Sequence, residues 1–204
     1  MGQYYHIAIK PKDGEVVYNK REVEGVGYTT AKLTEHSYSS TWIMKSVMSM
    51  LEKTPCKVAW VGDYSEDEEV SKITNGEVNR RALWPENGDP DVKTTVFKKT
   101  KFPVKSKWLV NHAKKTCVKL AGGFFRDSYK IALQDGTVKT RHLLLNPIPV
   151  LTAIGNGRGG GDYFGPDEEL AGSWAWDELS IENSIPRGYH RLKHLPRKKA
   201  PKKG

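Results

Sequence analysis

Residues 40–64 read STWIMKSVMSMLEKTPCKVAWVGDY, a periodic stretch followed by a continuous apolar run. Trp42, Ile43, Val47, Met50 and Leu51 recur at close to 3.6-residue spacing, so an amphipathic helix is expected over Ser40–Lys53. Ser40 is the expected cap and Pro55 the stop. Met44, Met48 and Met50 read as flexible core filler. CKVAWVGDY (Cys56–Tyr64) then lacks the alternation of a half-wet strand and is expected as a buried strand ending at Gly62-Asp63.

Working outward, YYHIAIKP (Tyr4–Pro11) alternates, Asp13-Gly14 signals a turn, and EVVYNK (Glu15–Lys20) returns as a hairpin partner. SEDEEV (Ser65–Val70) reads as an acidic turn or helix start, and 74–92 as a long loop. TTVFKKTKF (Thr94–Phe102) is a candidate strand with a basic face. KWLVNHAKKTCVKL (Lys107–Leu120) is expected to turn at Ala113–Lys115, and SYKIALQDGTVKTRHLLL (Ser128–Leu145) at Asp135-Gly136. WAWDELSIE (Trp174–Glu182) alternates like a last strand. The class is α+β: a mostly antiparallel sheet built from hairpins, with one main amphipathic helix packed on it. One domain over 1–186 and a basic, disordered tail over 187–204 are expected. A weak echo between the two Trp-containing strands that end in acids reads either as two related half-units, about 1–91 and 92–186, or as the ordinary likeness of hairpins.

The chain has 204 residues, 37% of them hydrophobic, with six Trp, nine Tyr and five Phe. That supplies a core and excludes wholesale disorder. No apolar stretch approaches the roughly 18–20 residues of a membrane span. The first residues lack the order of a signal peptide. Gly2 meets a myristoylation pattern only until His6, where Ser or Thr is required. A soluble, cytoplasmic protein is expected. Cys56 and Cys117 form no CxxC pair and read as two reduced core thiols. His190 and His194, with no carboxylate nearby in sequence, fit a basic tail rather than zinc. No cofactor is expected.

Charge comes in blocks. Residues 1–91 carry 11 Lys/Arg against 15 Asp/Glu, and residues 92–158 carry 14 against 2. Residues 159–186 carry none against 7, and residues 187–204 carry 8 against none. The blocks are therefore −4, +12, −7 and +8, together the net +9. Two readings stay open: the basic block is a polyanion footprint, or it neutralises the acidic 159–186 segment inside the fold. The tail lysines Lys198, Lys199, Lys202 and Lys203 add sequence-independent phosphate affinity on the first reading.

GNGRGGGDYFG (Gly155–Gly165) holds six glycines around Arg158. It matches GxGxxG, but Gly161, Gly165, Pro166 and Gly172 forbid the long helix that a dinucleotide site requires. No Walker A lysine follows. A GxxG clamp over Gly157–Gly160, with Arg158 supplying charge, is one reading; glycines serving positive φ angles in a tight loop is the other. Pro166 at a first helical position before Asp167, Glu168 and Glu169 suits a helix dipole. Phe97, Phe102, Trp108, Phe124, Phe125 and Tyr129 interleave with Lys98, Lys99, Lys101, Lys105, Lys107 and Arg126, a pattern that can hold a strand's backbone while rings stack on bases. Phe97 and Trp108 are expected in the buried face, and Phe124-Phe125 at the surface. An enzyme would instead gather Asp63, Asp67, Asp162 and Asp177 around Mg²⁺.

The set MGQYY, WVGDYSEDEE, WLVNH, GNGRGGGDY, GSWAWD and SIE resembles a family of uncharacterised proteins of bacteria and their phages. The resemblance implies a microbial or phage setting and an accessory or host–virus interaction role, and it carries no catalytic residues. The expected function is non-enzymatic nucleic-acid binding through 92–158 and the tail. The alternatives are a protein-interaction module that inhibits a host factor through an acidic face (Glu66–Glu69 with Asp167–Glu169) and a metal-dependent nuclease or phosphodiesterase.

Overall fold

The computed structural model describes residues 2–19, 22–23, 27–38, 41–84, 94–95, 101–132 and 136–194, with backbone alone at 22–23, 27–28, 94–95, 129–130 and 141. Lys98, Lys99, Phe97, Ser40 and the tail lysines Lys198, Lys199, Lys202 and Lys203 lie outside the described residues.

Strands β1 (Tyr5–Pro11) and β2 (Val17–Asn19) form the first hairpin, with Ala8 opposite Tyr18. A short β3 (Glu22–Val23) and β4 (Gly27–Tyr28) pair with each other, and α1 (Leu33–His36) follows. Helix α2 (Trp42–Lys53) is the longest. Its cap is Thr41, whose side chain accepts from the Met44 amide at 3.2 Å, one residue past the expected Ser40. Such a cap contributes about 1 kcal/mol.

Strand β5 (Cys56–Gly62) is central, antiparallel to β1 along its whole length. It has no alternation because both faces are covered. Cys56, Val58 and Trp60 join one cluster with Ile43, Met44, Val47, Met48 and Leu51 of α2. Ala59 and Val61 join a second with Val70 of α3 (Asp67–Thr74) and Ala82 and Leu83 of α4 (Arg80–Leu83). Helices therefore lie on both faces of the central strands: α2 as its periodicity predicts, and α3 where an acidic turn or helix start is expected.

A short β6 (Thr94–Thr95) runs parallel to β2; of the basic strand expected over 94–102, residues 101–102 are not strand and 96–100 lie outside the described residues. β7 (Trp108–Asn111) and β8 (Thr116–Lys119) make the expected hairpin. β9 (Phe125–Ala132) and β10 (Val138–Leu145) form a separate two-stranded ribbon with Val138 opposite Ala132; Asp135 of the expected turn lies outside the described residues. Chain reversal through α5 (Pro147–Leu151), capped by Asn146, brings β11 (Ala153–Ile154) parallel to β5.

The run WAWD is turn, not strand: Trp176 adopts φ 62°, and β12 (Glu178–Glu182) begins after it. The principal sheet has the order β13-β8-β7-β12-β5-β1-β2-β6, where β13 (His190–Arg191) runs parallel to β8. Residues 187–194 thus belong to the fold rather than to a disordered tail. The α+β class, sheet-dominated and mostly antiparallel, holds. Among the described residues no helix is long and apolar enough to cross a membrane.

Candidate nucleic-acid interface

The glycine loop leaves β11 and closes on its own acid. Asp162, 4% exposed, accepts through Oδ2 from the backbone amides of Gly157, Arg158 and Gly159 at 2.8, 2.8 and 2.9 Å. Its Oδ1 accepts from the Tyr5 hydroxyl at 2.8 Å. Successive amides of this kind make an anion nest, and here the anion is internal. Burial, with the carboxylate beside it, pushes the Tyr5 hydroxyl far above its usual pKa. Gly155, Gly157 and Gly161 take φ of 91°, 95° and 95°, the positive angles for which glycine is suited. Arg158 turns to Glu69 at 2.8 Å and to the Tyr64 carbonyl at 2.8 Å. Gly160 offers its carbonyl to the Gln3 amide at 2.9 Å, tying the loop to the chain's first residues.

The remaining acids are engaged elsewhere. Asp67 meets Arg80 and Arg81 at 3.3 and 2.9 Å. Asp177 meets Lys114 and the Asn111 amide. Asp63 accepts from the Tyr4 amide at 3.1 Å, and partial burial raises its pKa. Among the described residues no group of three or more His, Cys, Asp or Glu could hold a metal ion. Pro166 does not open a helix. Asp167 at φ 62° precedes a single 3₁₀ turn, Glu168–Leu170, and its carboxylate contacts His194 Nδ1 at 2.5 Å.

The basic block divides. Lys107 bonds Glu52 at 2.5 Å, Lys114 bonds Asp177, and Arg158 bonds Glu69. Exposed Lys105, Lys115, Lys119 and Lys139 pair with no described carboxylate. Lys101 is also exposed, and Arg126 turns its Nε to the Gly123 carbonyl at 3.3 Å. Of the acids in 159–186, Asp177 has a described ion pair to the block, through Lys114.

Of these cations Lys119 lines an aromatic pocket of about 250 Å³ at the β7–β8–β13 end of the sheet, where Arg191 also lies. Register places it there. Trp108 lies opposite Lys119, and Cys117 opposite Arg191, so the four share one sheet face. That is the face α3 and α4 cover farther along; the cluster beneath them includes no residue of β7, β8 or β13. The sheet end is left open. The Arg191 guanidinium lies 5.0 Å from the Trp108 ring centroid, a cation–π contact. Phe124 stacks on His194 with centroids 4.2 Å apart and planes 7° from parallel. Cys117 donates its thiol to the His190 carbonyl at 3.4 Å. Both cysteines are buried and free, as expected.

Phe125, expected at the surface, is fully buried against Tyr163, and Phe124 and Trp108 are half-buried at the pocket. The sequence reasoning missed Lys115, Lys119, Arg191, Lys193 and His194. Its clue was available for the first two: a four-residue turn over His112–Lys115 sets Trp108 against Lys119. Compared with known proteins, the chain matches no family model, no curated protein and no solved structure.

Proposed function

We propose that this chain binds nucleic acid without catalysing a reaction, as an accessory protein in a bacterial or phage setting. The observation that carries the proposal is the partition of charge. The structure describes the pair Lys114–Asp177 between the basic block and the acidic 159–186 segment, while Lys105, Lys115 and Lys119 of the block pair with no described carboxylate. Lys119 lines the pocket, Lys115 lies in the turn before β8, and Lys105 and Lys193 lie just before β7 and just after β13; Lys139 lies on β10. Five further Lys/Arg follow in residues 197–203. Unpaired cations beside half-exposed rings are what phosphate backbones and bases require. Lys101, Lys139, Arg126 and the lysines Lys98, Lys99, Lys198, Lys199, Lys202 and Lys203 extend the footprint on this reading.

The acidic-face alternative has weaker support, since Asp67, Glu69 and Asp167 already contact Arg80, Arg81, Arg158 and His194. The test is anisotropy of labelled DNA and RNA over a salt series, comparing the full chain with one ending at His194, which keeps β13. Each phosphate contact contributes about 0.7–0.9 to the slope of log K against log salt. Substituting Lys115, Lys119 and Lys193 together by Ala is expected to lower the slope of the shorter chain by about 2–3. An unchanged slope would remove this surface from the proposal, and salt-independent or absent binding would remove the proposal itself.

A further inference from the structure

Resting on that reading, we infer that the ligand is a single strand, and that one of its bases enters the pocket between Trp108 and Phe124. The pocket's volume, about 250 Å³, lies below the roughly 300–1,000 Å³ of sites for drug-sized ligands. About 250 Å³ suits one flat ring system. Both walls already take a flat partner: the guanidinium of Arg191 over Trp108, and the imidazole of His194 parallel to Phe124. A base presents the same kind of planar surface and joins or displaces these stacks. Bases inside a duplex present edges to the grooves; ring faces are offered only once a base leaves the helix.

The surrounding charge suits a strand rather than a lone nucleotide. Lys119 lines the pocket itself, where it meets phosphate flanking the seated base. Lys105 precedes Trp108 by three residues, Lys115 sits at the far end of β8, and Lys193 follows β13. Cations spread in this way along the hairpin and the edge strand suit a strand of several nucleotides. Asp167, by contacting Nδ1 of His194, holds that ring in its parallel position.

The experiment uses the full chain and labelled DNA of about 16 nucleotides, the upper end of a single-domain site. The probes are a thymidine single strand, the same strand with central abasic sites, and a duplex of equal length, with thymidine monophosphate as competitor. At about 0.15 M salt the single strand is expected to bind at least about tenfold more tightly than the duplex. Abasic sites should weaken it by about 5- to 100-fold. Phe124→Leu should weaken the intact strand by about fivefold or more and leave the abasic strand and the salt slope unchanged. Arg191→Lys, which keeps the charge and loses the plane, should do the same. Equal affinity for strand and duplex, equal affinity for intact and abasic strands, indifference to both substitutions, or full displacement by the mononucleotide at comparable concentration would each overturn the inference and leave nucleic-acid binding standing. Failure of all three DNA probes to bind would remove both.

Discussion

Asp162→Ala tests whether the glycine loop is held together by its own carboxylate. The wild-type side chain accepts four hydrogen bonds, three from loop amides and one from Tyr5. Bonds to a charged acceptor are worth about 1.5–3 kcal/mol each, but the four are not equally exposed to loss. Gly157 and Arg158 sit at the surface, so their amides can turn to water. The Tyr5 hydroxyl is fully buried and cannot. Counting one stranded buried hydroxyl at about 1–3 kcal/mol and the diminished loop bonds at about 2 gives a cost of about 3–5 kcal/mol. Asp162→Asn preserves the shape and an acceptor for the amides, and should cost about 1–2 kcal/mol. Tyr5→Phe removes the other end of the buried bond, and combining it with Asp162→Ala should fall short of additivity by about 1 kcal/mol or more. Urea unfolding at unchanged m-value reads all four proteins. An Asp162→Ala cost below about 1 kcal/mol, or strict additivity with Tyr5→Phe, would refute the internal-anion account.

Acid should loosen the fold through His36. Burial pushes its pKa down to about 4, the Tyr5 carbonyl opposing only in part. The unfolded histidine titrates near 6.5, so the unfolded chain binds the extra proton between these values. Stability is therefore full above about pH 6.5 and falls by up to about 3 kcal/mol on the way to pH 4; His36→Gln should flatten the slope between pH 6.5 and 5, and an identical slope would count against it. Two glycines separate strain from collision. Gly172→Ala combines φ 77° with a Cβ placed 2.5 Å from the Ala153 carbonyl oxygen, whereas Gly188→Ala has φ 81° and open space. Thermal or urea unfolding should show about 1–2 kcal/mol for Gly188→Ala and at least about 1 kcal/mol more for Gly172→Ala. Finally, Cys56, buried and raised to about 11, should resist thiol reagents at pH 8 until the protein unfolds; rapid native labelling of Cys56 would contradict its placement.

Much of the central fold was legible because its signals are local. The 3.6 spacing of α2, the unbroken apolar run of β5 and the turn residues of two hairpins each act within a dozen residues. The misses are tertiary. WAWD alternates like a strand, but Trp176 is drawn into the second cluster at a positive φ that alternation does not announce. β13 is two residues long and exists because the edge of β8 pairs with it. Propensity says nothing of such a partner. The pocket was half legible: Phe124 and Trp108 stood out by composition, while Arg191 and His194 come from a segment more than 60 residues away whose charge alone looks like a solvated tail.

Charge density in a sequence does not distinguish a footprint from an internal counterweight; pairing does. The glycine loop contains the sequence's most phosphate-like cradle, and the fold fills it with Asp162 while Glu69 takes Arg158. Lys107 and Lys114 are likewise claimed, by Glu52 and Asp177. Each of these cations has a carboxylate delivered to it by a neighbouring element. Around Trp108 the second sheet face lies outside the cluster under α3 and α4, and Lys119 and Lys115 pair with no described carboxylate. The same absence of cover that opens the pocket therefore leaves its cations unpaired. Uncovered rings and uncompensated charge have one topological cause there, the extension of the sheet from β7 to β13 beyond the reach of α3 and α4.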